Sequence, residues 1–416
     1  MRHLLFASPL VLALAACGLN GTDRDQGAKS DTAATTSQTT PAAYPADTML
    51  SHDPTGNAPI DPALADDKPR PLMQAQVALD RLGFTPGVVD GTMGLSTHNA
   101  LKGFQIANNL SDSGELDEAT KQALGQYSNI PATRVVTISD DFAAGPFYLV
   151  PKDPQDKAKM QSLGYETLDE KLAERFHTTV AVLKELNPGG MPAGSKSPVA
   201  GAAPSASPSA SASASPSASP SARASGDAFT PQPGPASFFH AGQQIRVPNI
   251  GADQIDAAQV KDSTWLATLT TLGVGTTQPK AVKIVVDKSA GTLFAYDAAG
   301  KLVAAFTATM GSSHDPLPLG DWKILAVSKN PPFHFNPDLF WDAKAGDKKA
   351  TLPPGPNGPV GVTWIDLSKE HYGIHGTPLP ETIGRAESHG CVRLTNWDVA
   401  RLAQMVSAST KVSFVA

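Results

Sequence analysis

Apolar residues recur at helical spacing along residues 72–124, interrupted by two glycine-containing turns. A first helix is predicted before the Asp90-Gly91 turn, a second over about 96–108, and a third over 117–124. Three short helices joined by tight turns predict a small helical module over residues 71–127.

Residues 145–250 combine helical and strand patterns around a low-complexity insertion. Apolar positions predict two short helices, near 165–176 and 182–187, and a strand over 241–248. Of the 29 residues from Ser197 to Ser225, 26 are Ala, Ser or Pro, which provide no side chains for a core. We therefore predict a small α/β segment over 145–250 with a disordered insertion over 195–236.

After Pro279 the pattern changes to strands. Two β-prone runs flank Ser289-Ala290-Gly291, a sequence typical of a hairpin turn. Further strand runs follow at 302–310 and 322–327, whereas the Pro and Gly residues of 351–361 predict a loop. These features predict a mainly-β domain over 280–416, and they make the whole chain a multidomain α+β protein.

The N-terminus has the pattern of an export signal. Met1, Arg2 and His3 precede an apolar run of about 13 residues that ends at Cys17, as in a secretory signal peptide. The run is shorter than the roughly 20 residues that a membrane-spanning helix needs. Residues 18–70 are rich in small and polar residues and lack a sustained period, so we predict a disordered tether.

The sequence Leu14-Ala15-Ala16-Cys17 resembles a bacterial lipobox. The resemblance implies that residues 1–17 form a lipoprotein signal, with cleavage before Cys17 and lipidation of that residue. It implies a lipid anchor on the periplasmic side of the bacterial cell envelope, in the outer membrane if the organism has two membranes. An ordinary secretory signal that contains a cysteine, or a buried helix, is the alternative.

Composition narrows the possible classes of protein. The 416 residues carry a formal net charge of −6 and only 17% charged residues, which argues against a nucleic-acid-binding protein. The chain contains two cysteines, Cys17 and Cys391, so a disulfide framework is not expected. Neither a cofactor nor a metal is predicted.

Two motifs in the C-terminal domain carry candidate chemistry: a His-Gly pair at His375-Gly376 and the Ser-His-Gly-Cys-Val-Arg run that ends at Arg393. A cysteine with its reference pKa of about 8.5 is only about 3% thiolate at pH 7. A neighbouring imidazole can raise the thiolate fraction and accept the thiol proton. His375 and His389 are both candidates, and Gly390 leaves backbone N–H groups accessible for an oxyanion.

Other roles for Cys391 are open on the residues alone. It could be a buried small apolar residue, although His389 and Arg393 flank it. It could bind zinc with His375 and His389, but His389 and Cys391 are too close together for an ordinary tetrahedral pair. A papain-like protease is disfavoured because its cysteine precedes its histidine along the chain. His314, His334 and His371 are expected to be structural or solvated.

The order His-Gly, then Ser-His-Gly-Cys-x-Arg, resembles the L,D-transpeptidase catalytic domain over about 280–416. The resemblance implies that Cys391 attacks a stem-peptide carbonyl of peptidoglycan and releases D-alanine. The resulting thioester then acylates an amine, which forms a 3→3 cross-link or attaches an envelope lipoprotein. His375 would be the base. Gly376, Ser388, His389 and Gly390 would shape the turn and the oxyanion site, and Arg393 would steady the loop or bind a substrate carboxylate.

Two further resemblances concern wall binding. The glycines of residues 90–120, with Phe104-Gln105, resemble the three-helix peptidoglycan-binding module, which implies glycan and stem peptides as partners. Residues 145–250 resemble a LysM fold, although the usual Gly-Asp-Thr opening is absent; we call them the LysM-like segment. The alternatives are an L,D-carboxypeptidase or hydrolase acting on the same bond, and a non-catalytic peptidoglycan-binding lipoprotein.

Overall fold

The computed structural model describes residues 65–194, 229–250, 255–341, 343–344, 346–386 and 388–416. The predicted signal with Cys17, the tether up to residue 64 and the insertion from 195 to 228 lie outside these ranges. In the described part of the chain, no helix is both long and apolar enough to cross a membrane.

The predicted helical module contains three helices and one short strand: α1 (Pro71–Arg81), β1 (Phe84–Thr85), α2 (Leu95–Ala107) and α3 (Glu118–Leu124). Pro71 begins α1, where a missing N–H costs nothing. The Asp117 side chain accepts a hydrogen bond from the backbone N–H of Thr120 and so caps α3. The three helices predicted from periodicity are therefore present.

Two buried glutamines fix the turns of this module. The Gln76 side chain accepts from the N–H groups of Asp90 (3.1 Å) and Gly91 (2.7 Å) and donates to the Thr97 hydroxyl. Gln105 accepts from the Gly114 N–H at 2.8 Å in the same manner. In each turn the backbone N–H groups donate to a buried glutamine of a helix. The conformation of the glycine turns and the position of the helices therefore depend on one another.

The helix α4 (Asp140–Ala143) precedes the LysM-like segment, which contains the helices α5 (Pro154–Lys157), α6 (Leu168–Arg175) and α7 (Val180–Leu186). The predicted strand is observed as β3 (Gln244–Pro248), and it pairs antiparallel with β2 (Thr133–Thr137). β2 precedes the predicted segment and was not expected from the sequence. It shares a core with α6, α7 and β3 that contains Val136, Leu172 and Val247.

The edges of two predicted disordered stretches differ from the expectation. Residues 229–236 were placed in the insertion, but the Leu149 N–H donates to the Gln232 carbonyl at 2.9 Å. Asp66, near the end of the predicted tether, accepts from the Arg70 side chain (2.8 Å) and the Thr133 hydroxyl (2.9 Å). Polar contacts to the adjacent fold order these ends, and composition alone does not reveal such contacts.

Within the described residues, the C-terminal domain over 280–416 contains one α-helix and eleven strands, and a second α-helix that precedes the predicted boundary packs into its core. The helices are α8 (Ser263–Leu272) and α9 (Asn396–Met405). The strands are β4 (Lys283–Asp287), β5 (Thr292–Tyr296), β6 (Leu302–Thr307), β7 (Thr309–Met310), β8 (Gly320–Lys329), β9 (Phe333–Phe335), β10 (Ala350–Leu352), β11 (Thr363–Leu367), β12 (Gly373–His375), β13 (Val392–Arg393) and β14 (Lys411–Val415). The hairpin predicted at Ser289-Ala290-Gly291 joins β4 and β5.

Ten of the described strands form one mixed sheet, in the order β1-β6-β5-β4-β14-β8-β11-β12-β13-β7. β9 and β10 form a separate antiparallel pair. The α8 and α9 helices share the main core of the large sheet, in which Trp265 and Trp397 are buried.

The helical module continues this sheet. β1 pairs in parallel with β6, with Phe84 opposite Ala305. A second core joins Leu79, Leu101 and Phe104 of the module to Phe294 and Ala305 of the sheet. The module is thus packed on the β domain through a shared sheet edge and a shared apolar core.

A buried ion cluster joins all three segments. Asp80 of α1 accepts from the Arg401 guanidinium of α9 at 2.9 and 3.0 Å. The Nδ1 atom of His177, which follows α6, lies 3.0 Å from both Asp80 carboxylate oxygens. Burial alone would raise the pKa of Asp80, but Arg401 and His177 hold it below its ordinary value.

Candidate active site

Adjacent parallel strands bring the predicted nucleophile and base together. In β12 and β13, Ile374 lies opposite Val392 and His375 lies opposite Arg393. Cys391 directly precedes β13, so it lies beside the start of β12 at the spacing of about 4.8 Å between neighbouring strands. Two residues that are 16 positions apart in sequence therefore share one edge of the site.

His375 has a defined tautomer. Its Nδ1 atom lies 2.7 Å from the carbonyl oxygen of Gly376. A carbonyl can only accept, so Nδ1 carries the proton and Nε2 is the unprotonated nitrogen. The ring is buried and stacks on Trp364 of β11, with centroids 5.5 Å apart. Burial, with a contribution from Arg393, lowers the pKa of His375 to about 4.

Cys391 rests as a thiol. Burial raises its pKa to about 11, against a backbone hydrogen bond from Gly373 and the positive charge of Arg393. Asp315 also acts to raise it. Removal of the thiolate from water outweighs the nearby positive charge of Arg393.

Ser388 and Gly390 shape the turn before the nucleophile. The buried Ser388 hydroxyl donates to the Cys391 carbonyl at 2.7 Å and accepts from the Gly311 N–H at 2.6 Å. Gly390 has a φ of +88°, and a Cβ at this position would overlap the Tyr372 ring. The turn therefore requires glycine both for its backbone conformation and for the approach of Tyr372.

Arg393 and Gly376 adjoin the reacting pair along the chain and across the strands. Arg393 lies opposite His375 in the β12–β13 pair, and its positive charge lowers the pKa values of both His375 and Cys391. Gly376 supplies the carbonyl that fixes the His375 tautomer, and its own N–H donates to the Val360 carbonyl at 3.1 Å. The Gly376 carbonyl thus fixes the orientation of the His375 ring.

His389 faces an aromatic group that the sequence did not assign to the site. Its ring lies 5.1 Å from Phe340 and 5.6 Å from Trp341, between centroids. His314 stacks on Trp341 at 4.4 Å. Trp341 is 55% exposed. The sequence signal for this group was the adjacent aromatic pair Phe340-Trp341 in a loop. Because a loop does not need aromatic residues for a core, such a pair indicates a binding surface.

His334 and His371 are the remaining histidines for which the sequence predicted a structural or solvated role. His334 lies on β9, exposed, with Nδ1 3.1 Å from the Thr351 hydroxyl. His371 is exposed, but its carbonyl lies 3.7 Å from the Cys391 sulfur. Asp315 and Tyr372 also surround Cys391, and sequence reasoning gave neither a role. Within the described ranges, no group of three or more His, Cys, Asp or Glu residues could hold a metal ion.

A thiol and a buried imidazole on neighbouring strands are the two groups that enzymes with a cysteine nucleophile use. The L,D-transpeptidase catalytic domain (YkuD) matches residues 281–413, and a "Putative peptidoglycan binding domain" matches residues 71–124. A protein of Fuscovulum blasticum, "Putative L,D-transpeptidase in ATP synthase subunits region ORF 5", is 30% identical over 132 residues, which cover 32% of this chain and 68% of that protein. The chain belongs to the L,D-transpeptidase family.

Other relatives match shorter stretches. "Putative L,D-transpeptidase YkuD" of Bacillus licheniformis is 55% identical over 60 residues, which are 14% of this chain and 36% of that protein. The chain thus spans about a third of the length of this curated relative. A solved L,D-transpeptidase from Mycobacterium smegmatis has 22% identity and a TM-score of 0.28, and the match covers 33% of this chain and 59% of that one.

Proposed function

We propose that this chain is an L,D-transpeptidase that acts on peptidoglycan stem peptides through a Cys391 thioester. The observation that carries the proposal is the tautomer of His375. The Gly376 carbonyl holds the ring proton on Nδ1, so Nε2 can accept the proton of a thiol on the neighbouring strand.

The proposed reaction has two half-reactions, in which Cys391 is the nucleophile and His375 transfers the proton. As the Cys391 sulfur attacks the stem-peptide carbonyl, its proton moves to Nε2 of His375. The tetrahedral intermediate collapses, the C–N bond to D-alanine breaks, and His375 returns the proton to the departing amine. An acceptor amine then attacks the thioester, an amide bond forms, and the sulfur regains a proton.

The acceptor defines the product. A second stem peptide gives a 3→3 cross-link, a lysine of an envelope lipoprotein gives attachment to the wall, and water gives an L,D-carboxypeptidase. We propose stem-peptide cross-linking as the main reaction, because the peptidoglycan-binding module packs directly on the catalytic sheet. A tethered wall-binding module raises the local concentration of such acceptors.

The test uses the full chain with purified disaccharide-tetrapeptides. The wild-type protein should release D-alanine and form dimers with the mass of a 3→3 linkage, and Cys391→Ala should abolish both products. Cys17→Ala is the matched control, because it removes the other cysteine and leaves the site intact. Release of D-alanine without dimers would identify the carboxypeptidase. Equal activity of Cys391→Ala would reject the nucleophile.

Carbapenem treatment separates the enzyme from a non-catalytic wall-binding lipoprotein. An activated thiol should form a covalent adduct on the Cys391-containing peptide, seen by peptide mass mapping. His375→Ala should slow this acylation strongly, since it removes the base. If the wild-type chain were a non-catalytic binding protein, carbapenem treatment would leave Cys391 without an adduct.

A cleft between the helical module and the catalytic domain supports a role in wall binding. It encloses about 230 Å³ and is lined by Asp90 and Ser96 of the module, Thr179 of the LysM-like segment, and Glu381 and Arg385 of the β domain. Hydroxyl, carboxylate and guanidinium groups suit a ligand that carries sugar hydroxyls and peptide carboxylates. Arg385→Ala should weaken the binding of Cys391→Ala protein to purified sacculi. Lys121→Ala, an exposed cation of α3 outside this cleft, should not.

Cellular location forms part of the same proposal. The lipobox at Cys17 supports a lipid anchor on the periplasmic side of the envelope, and the tether would give the catalytic domain reach to the wall. Mass analysis of the mature N-terminus should find a lipidated Cys17. A Cys17→Ala protein should leave the membrane fraction, and retention of that variant on membranes would contradict the anchor.

A further inference from the structure

Glu174 of the LysM-like segment contacts the residues that pack against the backbone next to His375. It lies in α6 and is buried. One carboxyl oxygen accepts from the Asn396 side-chain amide at 2.8 Å, and the other accepts from the Tyr165 hydroxyl at 2.8 Å. The Glu174–Asn396 contact joins residues that are 222 positions apart.

The Asn396 side chain packs against two glycines near the active site, Gly361 and Gly376. Its amide also donates to the Pro356 carbonyl at 3.1 Å, and its oxygen accepts from the Val362 N–H at 3.3 Å. A Cβ at Gly361 or Gly376 would overlap this oxygen. Asn396 is fully buried, so its position fixes where the Gly376 backbone can lie.

Gly376 in turn sets the state of the base, because its carbonyl accepts the Nδ1 proton of His375 at 2.7 Å. Contacts therefore run without a break from His375 through Gly376 and Asn396 to Glu174. The same segment holds the adjoining loop: Glu170 accepts from the Asn357 amide at 2.8 Å, and the Leu163 N–H donates to the Pro354 carbonyl at 2.9 Å.

We propose that Glu174 is a positioning residue that holds His375 in its Nδ1–H tautomer through Asn396 and Gly376. The LysM-like segment is then a structural part of the catalytic unit. This inference rests on the proposed function for its kinetic consequence, but the tautomer itself can be observed without any turnover.

The chemistry of Glu174 selects the informative variants. Burial raises the pKa of Glu174 to about 8, so the protonated carboxyl predominates at neutral pH. In that form one oxygen accepts from Asn396, and the protonated oxygen can donate to the Tyr165 hydroxyl, which then reverses its role. A glutamine amide offers the same acceptor and donor, whereas alanine leaves Asn396 and Tyr165 without this partner. Glu174→Gln should therefore preserve the tautomer and Glu174→Ala should not. Glu185→Ala is the matched control, since Glu185 lies exposed on α7 of the same segment.

The primary measurement is a long-range ¹H–¹⁵N spectrum of the full chain labelled at histidine, which distinguishes the two imidazole tautomers. Wild type, Glu174→Gln and Glu185→Ala should show the Nδ1–H form of His375. Glu174→Ala should show a substantial Nε2–H population. With tetrapeptide donor, its kcat should fall about tenfold or more, while KM changes less than about twofold.

A second variant covers the case in which Glu174→Ala does not fold. Asn396→Asp keeps the side-chain size and the acceptor for Val362 but loses the amide donor to Glu174, and it should shift the tautomer in the same direction. A folded Glu174→Ala or Asn396→Asp protein with the wild-type tautomer would overturn the inference. If wild type lacks transpeptidase activity altogether, the proposed function fails, whereas the tautomer spectra still decide the positioning role.

Discussion

The Ser388 hydroxyl donates a 2.7 Å hydrogen bond to the backbone carbonyl of Cys391, three residues further along the chain. The same oxygen accepts from the Gly311 N–H, and the Ser388 N–H donates to the Gly311 carbonyl at 3.1 Å. One buried side chain thus ties the turn that carries the nucleophile to the loop after β7. The position of the Cys391 sulfur depends on that connection.

Ser388→Ala should lower both stability and activity. It leaves the buried Gly311 N–H and the Cys391 carbonyl without their partner, which costs about 1–3 kcal/mol. Because small displacements of a reacting group reduce rates strongly, carbapenem acylation should slow by roughly tenfold to a hundredfold. Urea unfolding and acylation kinetics measure the two effects.

Ser413→Ala is the control for that substitution. Ser413 also donates a side-chain hydrogen bond, to Asp321, but at an exposed position on β14. Its loss should change the free energy of unfolding by less than about 0.5 kcal/mol. A Ser388→Ala protein as stable and as active as Ser413→Ala would show that the turn does not need the hydroxyl.

The thiol of Cys391 should titrate only at alkaline pH. With its pKa raised to about 11, the thiolate fraction grows about tenfold per pH unit between pH 7 and 9. Alkylation by iodoacetamide, followed on the Cys391-containing peptide by mass, should rise in the same proportion without a plateau. A plateau beginning near or below neutral pH would instead indicate a resting thiolate–imidazolium pair.

The catalytic motifs and many of the strands could be predicted from sequence, because each depends on residues close together in the chain. The Ser-His-Gly-Cys run and the hairpin at Ser289-Ala290-Gly291 are local signals. β1 could not be predicted, since two residues carry no periodicity and their pairing with β6 depends on packing. Trp341 and Phe340 join the site from a loop whose course the sequence does not specify.

Glu174 illustrates the same limit for polar residues. On α6 it has the pattern of an ordinary solvent-facing charge, and only the fold brings it to Asn396. Asp80, His177 and Arg401 likewise come from three predicted modules and meet in one buried cluster. Sequence reasoning treated these modules as separate because contacts between distant segments leave no local pattern.

Docking of the helical module depends on Gly103. A Cβ at this position would lie 2.6 Å from the Cβ of Ala305 on β6. Alanine gains about 1 kcal/mol of helix propensity over glycine, but forcing an extra group into a packed contact costs about 1–3 kcal/mol. Gly103→Ala should therefore destabilise the protein on balance, as measured by urea unfolding, and the second change Ala305→Gly should restore part of the loss.

Gly125→Ala is the control for Gly103→Ala. It distinguishes the steric clash with Ala305 from the general effect of replacing a glycine by alanine. Gly125 has a φ of −57°, and a Cβ added there would meet no other atom within 4 Å, so alanine fits without strain. This variant should be as stable as wild type or slightly more stable. If Gly103→Ala behaved like Gly125→Ala, the close approach of α2 to β6 would not be present in solution.

Removing Asp80 should be among the most destabilising single changes in the chain. Asp80→Ala leaves the buried Arg401 and His177 without their shared carboxylate, and breaking a buried pair costs about 3–5 kcal/mol. Asp398 lies 4.0 Å from Arg401 and can compensate part of that charge, so we expect a loss near the lower end, about 3 kcal/mol. Asp338→Ala, which removes an exposed ion pair with Lys349, should cost less than about 0.5 kcal/mol.

The pH dependence of the Asp80 effect has a defined sign. The pKa of Asp80 is lower in the folded protein than its unfolded value of 3.8, because Arg401 and His177 favour the carboxylate. Its contribution to stability is therefore full well above pH 3.8 and declines as the pH falls through that value toward the folded pKa. The difference in unfolding free energy between wild type and Asp80→Ala should be large at about pH 7 and smaller at about pH 3. A difference that stays constant or grows in acid would show that Asp80 does not act through its charge.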